Sequence, residues 1–161
     1  EASRVEELMA HAEPEPFDLC AVLTSTVAAY RDVYPGRSFD FETELDAANT
    51  EGSPELIIQM LDKLVDNAVD FSADGDTIRL TLDGRDDALL IGVTNPGPEL
   101  PERMRSQMFD SMVSMRAGKD SRHLGLGLYV ARLIAEGHGG NISADNVMGG
   151  VRFTVAIPRP Q

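Results

Sequence analysis

The sequence is short of cysteine and of positive charge, and it has no long apolar run. A single cysteine, Cys20, excludes an internal disulfide. It lies in an apolar stretch, Leu19 to Leu23, without metal-ligand spacing around it, so it is expected as a buried structural thiol. No apolar run approaches the ~18 residues of a membrane span, which argues against direct membrane contact by this chain. No basic-then-apolar leader opens it either: the chain begins at Glu1, as a piece of a longer protein would. Lysine and arginine total 14 against 27 acids, a net charge of -13. Such a surface repels phosphodiester backbones and argues against nucleic acid as a partner.

What is present fits one domain. A chain of 161 residues has room for one sizeable core and not for two. The acidity has a local exception: Arg103, Arg105, Arg116, Lys119 and Arg122 share a window with only two acids, Asp110 and Asp120. That window is either a solvated loop or a counter-charge for a phosphate-bearing ligand.

Residues 1–13 (EASRVEELMAHAE) have helical composition and end at Pro14 and Pro16. A short strand is expected over Phe17 to Leu19, a helix over Leu19 to Tyr30 and a half-buried strand in SFDFETEL. Ser53-Pro54-Glu55 starts a helix: serine at the cap, proline in the first turn, an acid at the positive end of the dipole. From Pro54 to about Phe71, Leu56, Ile57, Met60, Leu61, Leu64, Val65, Ala68 and Phe71 form one broad apolar arc. Asn67 sits inside that arc. A buried amide without partners costs about 1–3 kcal/mol, so Asn67 is either a bonded core amide or the lining of a ligand cavity.

TIRLTLDG and ALLIGVTN read as a hairpin. An aperiodic stretch from Pro96 to about residue 124 is long for a connection and suggests a lid. Helix signals resume in LGLGLYVARLIAEG, where Leu126, Val130, Leu133 and Ile134 line one side, and NISADN and VRFTVAIP close the chain as two strands. Helices interleaved with hairpins predict a two-layer α/β sandwich, with a mixed, mostly antiparallel sheet covered on one face by helices.

Gly125-Leu126-Gly127-Leu128 comes before a helix, where free amides and the helix dipole favour an anion. Val130 breaks the dinucleotide pattern GxGxxG, and no GxxxxGK[ST] occurs, so neither a Rossmann site nor a P-loop is expected. In order, KLVDNAVDFS, VTNPGPELP, FDSM, HLGLGLYVARLIAEGHGG and GGVRFTVAIP resemble the N, G1, F, G2 and G3 boxes of sensor histidine kinases. The resemblance covers roughly residues 14–158, and residues 1–13 are similar to the end of the dimerisation helix that precedes such domains.

The resemblance implies the catalytic domain of a protein histidine kinase with a Bergerat-type ATP-binding fold over 14–161 and an ATP lid at about 96–124. It implies ATP and Mg²⁺ as cofactors. Asn67 would hold Mg²⁺ against the triphosphate, a hard cation suited to an amide oxygen. Asn95 stands where an aspartate accepts the adenine amino group, and Gly97 leaves room for the base. Phe109 matches the F-box aromatic, and Gly125, Leu126, Gly127 and Leu128 would lie against the phosphates. Lys63 faces the nucleotide from one turn before Asn67, and Lys119, Arg122 and Arg116 supply mobile counter-charges. The acceptor histidine would lie on an absent upstream domain that pairs the full-length protein as a homodimer, since His11, His123 and His138 precede no acceptor motif. A cognate response regulator, a cytoplasmic domain and a full-length protein in the bacterial inner membrane follow from the same resemblance.

Departures from the family pattern are Lys63, Asp70, Asn95, Glu99, His123 and Val151. They leave a second reading, a degenerate relative that binds no nucleotide and acts through protein contact. A third, an anti-sigma-factor serine kinase of the same fold, leaves residues 1–13 unexplained. Lysine at 63 also disfavours ATP hydrolysis as the output, because gyrase-like relatives place a glutamate general base there and a charged lysine accepts no proton.

Overall fold

The structure, a computed structural model, describes residues 2–11, 13–110 and 122–160, without the side chains of residues 2, 3, 5, 106 and 122–126. The elements in chain order are α1 (Ala2–His11), β1 (Glu15–Asp18), α2 (Leu19–Val33), β2 (Ser38–Thr43), β3 (Asn49–Gly52), α3 (Pro54–Phe71), β4 (Thr77–Gly84) and β5 (Ala88–Pro96). After them come α4 (Glu102–Gln107), α5 (Arg122–Gly137), β6 (Asn141–Val147) and β7 (Gly150–Pro158). Five strands form one sheet in the order β2-β4-β5-β7-β6. Strand β2 runs parallel to β4, and the other neighbours are antiparallel. The expected mixed two-layer sandwich is present.

Its inner layer follows from alternation. Leu80, Val93 and Phe153 are cross-strand partners on β4, β5 and β7, as are Leu82, Ile91 and Val155. All six are buried, and side chains two apart share a face. Helices α3 and α5 pack on each other and on that face of the sheet. Helix α3 buries Leu56, Ile57, Met60, Leu61, Leu64, Val65 and Ala68, each of the larger side chains contributing about 1.5–3 kcal/mol. Phe71, expected on the same buried arc, is instead 36% exposed, because it lies at the last turn where the helix leaves the sheet.

Local chemistry sets the boundaries. The Ser53 hydroxyl accepts from Leu56 N at 3.2 Å, as its place before Pro54 suggests. Asp18 ends β1 one residue earlier than expected, since its carboxylate accepts from Cys20 N at 3.0 Å and starts α2. The same oxygen accepts from Ala48 N at 2.8 Å, which leads the chain into β3. Strand β3 was not foreseen: NTEG has no apolar alternation, and only its pairing with β1 makes it a strand. Cys20 is half-buried rather than buried, its thiol 3.6 Å from Leu45 O. Residues 1–13 do contain a helix, α1, which packs on α5.

Two long-range polar contacts hold α3 at its ends. His138 Nε2 accepts from Ser53 N at 3.1 Å, and its Nδ1 lies 2.8 Å from Ile134 O. An amide can only donate and a carbonyl only accept, so the ring proton sits on Nδ1. At the other end the guanidinium of Arg37, 15% exposed, donates from Nε to Ser72 Oγ at 2.8 Å and from Nη2 to Val69 O at 3.0 Å. It also bonds Ser72 O at 3.2 Å and the Asp74 carboxylate at 3.0 Å. A cation on the last carbonyls of a helix answers both their missing partners and the dipole. Arg37→Ala is therefore expected to lower stability by about 2–3 kcal/mol, read as a shift of the urea midpoint. Arg37→Lys should recover little, since a point charge cannot bridge partners that a planar fork spans.

Candidate functional site

The C-terminal half of α3, the end of β5 and the start of β7 enclose a cavity of ≈ 80 Å³. Asn67 and Phe71 come from α3, Asn95 from β5, Pro98, Glu99 and Leu100 from the chain beyond it, Met108 from the turn after α4, and Val151 and Phe153 from β7. This volume is below the ~300 Å³ of a typical small-molecule pocket. Asn67 and Asn95 supply the buried polarity, each 2% exposed.

The two amides differ in what they lack. Asn67 Oδ1 is buried and has no hydrogen-bond partner among the described residues. An orphaned buried acceptor costs about 1–3 kcal/mol, and Asn67 carries it while lining the cavity. Asn95 is anchored: its Nδ2 donates to Pro96 O at 2.9 Å. That bond assigns the amide and leaves its Oδ1 as an acceptor. Next to it Gly97 has φ +154°, and a side chain there would press to 3.1 Å from Phe71 O. The chain thus passes close under the end of α3, and Gly97 N donates to Gly149 O at 3.2 Å.

Lys63 lies one turn before Asn67, and its Cδ is 3.8 Å from the point where a Cβ on Gly127 would be. Lys63, Asn67 and Gly127 therefore occupy the facing sides of α3 and α5. On its other flank Lys63 borders a groove between α2 and α3 with Asp62 and Asp66. There Tyr30 OH donates to Asp62 at 2.7 Å. Burial first, then the Asp62 bond and charge, hold the Tyr30 phenol well above its ordinary range, so it stays a donor.

The glycine run differs from its sequence expectation. Helix α5 starts at Arg122, so Gly125 and Leu126 belong to its first turns and Gly127 follows within the helix, rather than forming a loop ahead of it. Packing explains this: Leu128, Val130, Ala131, Ile134 and Ala135 are buried, which outweighs the ~1 kcal/mol that each helical glycine costs. The first backbone amides of any helix have no partner within it, a property that favours an anion. Leu128, expected against the nucleotide, is wholly buried in the core and presents no side chain to a ligand. Leu133, expected on the buried side of this helix, is only partly buried.

The stretch expected as a lid, 96–124, is well packed where it begins. Helix α4 interrupts it, Met108 is buried, and Phe109 meets Phe153 edge-on with centroids 6.0 Å apart. Asp110 pairs with Arg132 of α5 at 3.1 Å. Arg105, at the start of the basic window, lies 3.9 Å from Asp145. Arg116 and Lys119 lie outside the described residues, as do the side chains of Arg122, His123, Gly125 and Leu126. Sequence reasoning missed Phe71, Met108 and Phe153 as cavity walls. Alternation marks Phe153 as inward-facing but does not tell core from cavity.

Residues 52–161 match the family of histidine kinase-, DNA gyrase B-, and HSP90-like ATPases. The chain is 34% identical to the sensor histidine kinase GtrS of Pseudomonas aeruginosa over 67% of its length and 28% identical to the sensor protein ChvG of Agrobacterium fabrum over 98%. It spans only 22% and 29% of those two proteins. Among solved structures it is similar to the nucleotide-free catalytic domain of histidine kinase ThkA, with TM-score 0.82 and 26% identity over 92% of this chain and 99% of that one. The ATP-binding domain of PrrB from Mycobacterium tuberculosis shares the fold, with TM-score 0.76 at 22% identity, covering 93% of this chain and 100% of that one. With a match over most of its length and the cavity between α3, β5 and β7 in place, the chain belongs to the histidine kinase-, DNA gyrase B- and HSP90-like ATPase family.

Proposed function

We propose that the chain is the catalytic ATP-binding part of a sensor histidine kinase, passing the γ-phosphoryl group of ATP to a histidine on an upstream dimerisation domain. The observation that carries this is Asn67 Oδ1, a buried acceptor without a partner, in the same cavity as the acceptor of Asn95. Asn95 Oδ1 suits the amino group of adenine, and the orphaned Asn67 oxygen suits a hard cation that takes its remaining ligands from phosphate oxygens and water. Bound there, Mg²⁺ would neutralise charge on the triphosphate. The residues of this chain then orient the donor: Asn95 and Phe71 hold the base edge, the start of α5 receives phosphate, and Lys63 adds positive charge beside Asn67. Phosphoryl transfer needs little more than such positioning and charge neutralisation.

The acceptor is best placed outside the chain. His11 is exposed on α1, and both ring nitrogens of His138 are already bonded. A solved structure of ThkA holds a response regulator; a cognate regulator is proposed here on that likeness, with homodimerisation through the upstream domain. Among the described residues no helix is long and apolar enough to cross a membrane; we place any anchor elsewhere in the full-length protein and this part in the cytoplasm. Titration calorimetry with ATP and magnesium tests the proposal: binding should depend on the metal, and a blank with both ATP and ADP at millimolar levels would sink it.

The exposed Glu99 in the cavity wall and the neutral Asn95 favour the second reading, a binding module without nucleotide. Asn95→Asp separates the two. Because the anchored amide already presents an acceptor, the variant should gain only about fivefold in ATP affinity, the ~1 kcal/mol between neutral and charge-assisted bonds. A gain of two orders of magnitude would mean a site that has lost its function.

A further inference from the structure

Asn146, on β6, carries a contact that neither the fold nor the proposed chemistry has used. Its amide brackets one residue of the cavity wall: Leu100 N donates to Oδ1 at 2.8 Å, and Nδ2 donates to Leu100 O at 3.0 Å. Leu100 stands between Pro98 and Pro101, in a stretch outside any strand. Prolines have no N–H to give a ladder, so the backbone of this stretch is held by a side chain instead.

The sheet register gives the contact its meaning. Asn95 of β5 is opposite Val151 of β7, and Val151 is opposite Asn146 of β6. Directly paired residues share a face. One row therefore runs from the amide facing the base, through Val151 on the cavity wall, to the amide that holds Leu100 on the far side. Rigid walls matter for a flat ligand, because a mobile wall must be ordered when the ligand binds.

We propose that Asn146 is a positioning residue for nucleotide recognition, which by clamping Leu100 sets the wall against which the purine ring packs. This rests on the ATP-binding function proposed above. Its role is in affinity for the base and not in the hold on the phosphates, which belongs to α3 and α5.

The test compares wild type with Asn146→Ala for two ligands, ATP with magnesium and inorganic tripolyphosphate with magnesium, which lacks the base. Thermal unfolding of both proteins is measured alongside. The variant should bind ATP about tenfold more weakly, the loss of two hydrogen bonds that order the wall, with tripolyphosphate affinity unchanged. Asn146→Asp keeps the acceptor for Leu100 N and loses the donor, so it should fall between, and it serves as the second variant if alanine does not fold. Unchanged ATP affinity overturns the proposal. So does an equal loss for both ligands, the mark of a merely structural role. A wild type that binds no ATP sinks the nucleotide function itself, and is told apart because the unmutated chain then fails.

Discussion

Asn67→Leu is expected to abolish magnesium-dependent nucleotide binding while making the chain more stable. The two effects have one cause. In the folded chain the Asn67 oxygen is taken out of water and given no partner, a cost of about 1–3 kcal/mol that a leucine of similar volume does not carry. Neighbouring Leu64, Val65 and Ala68 already make the surroundings apolar. The variant should therefore unfold about 3 °C higher, since a domain of this size gains ~2–4 °C per kcal/mol. Binding should fall at least ~100-fold, the upper end of what removing support from a metal site does. Calorimetry against ATP with and without magnesium, beside a thermal melt, reads both. A variant that loses stability and keeps its affinity would show Asn67 to be a core amide after all, and the kinase function would lose its main support.

Phe153→Ala should produce the largest loss of stability in the sheet, about 3–5 kcal/mol. Phe153 is 1% exposed, faces Leu80 and Val93 across the strands through the β4-β5-β7 register, and receives Phe109 edge-on. Removing the ring deletes a core side chain and the surface on which Phe109 rests together. A urea titration should show the midpoint moving down without a change of slope, as a pure stability effect requires. Phe109→Ala should lose less, about 1–2 kcal/mol, because Phe109 is only partly buried and its ring contact is worth roughly 0.5–1.5 kcal/mol beyond area. Equal losses would mean that the contact with Phe109, not the packing within the sheet, carries the energy.

The parts of this protein that sequence determines are those settled within a few residues. Ser53 and Pro54 start α3 because cap and first turn are neighbours, and the hairpin of β4 and β5 shows in two strand patterns and the short turn between them. The five boxes and the polar residue inside the apolar arc of α3 pointed to Asn67, Asn95 and the glycines of α5, and the order of helices and hairpins led to the two-layer sandwich. Tertiary structure alone decided the rest. Strand β3 exists because β1 lies beside it, and the glycine run is helical because the core holds the turns after it. Leu128 turned inward for the same reason. Arg37, His138 and Asn146 find partners 32, 85 and 46 residues away, and no local pattern encodes such a partner. Hydrogen bonds of that kind are chosen by where the folded layers bring backbone groups that lack a ladder, so they arise only once the sheet and its helices are packed.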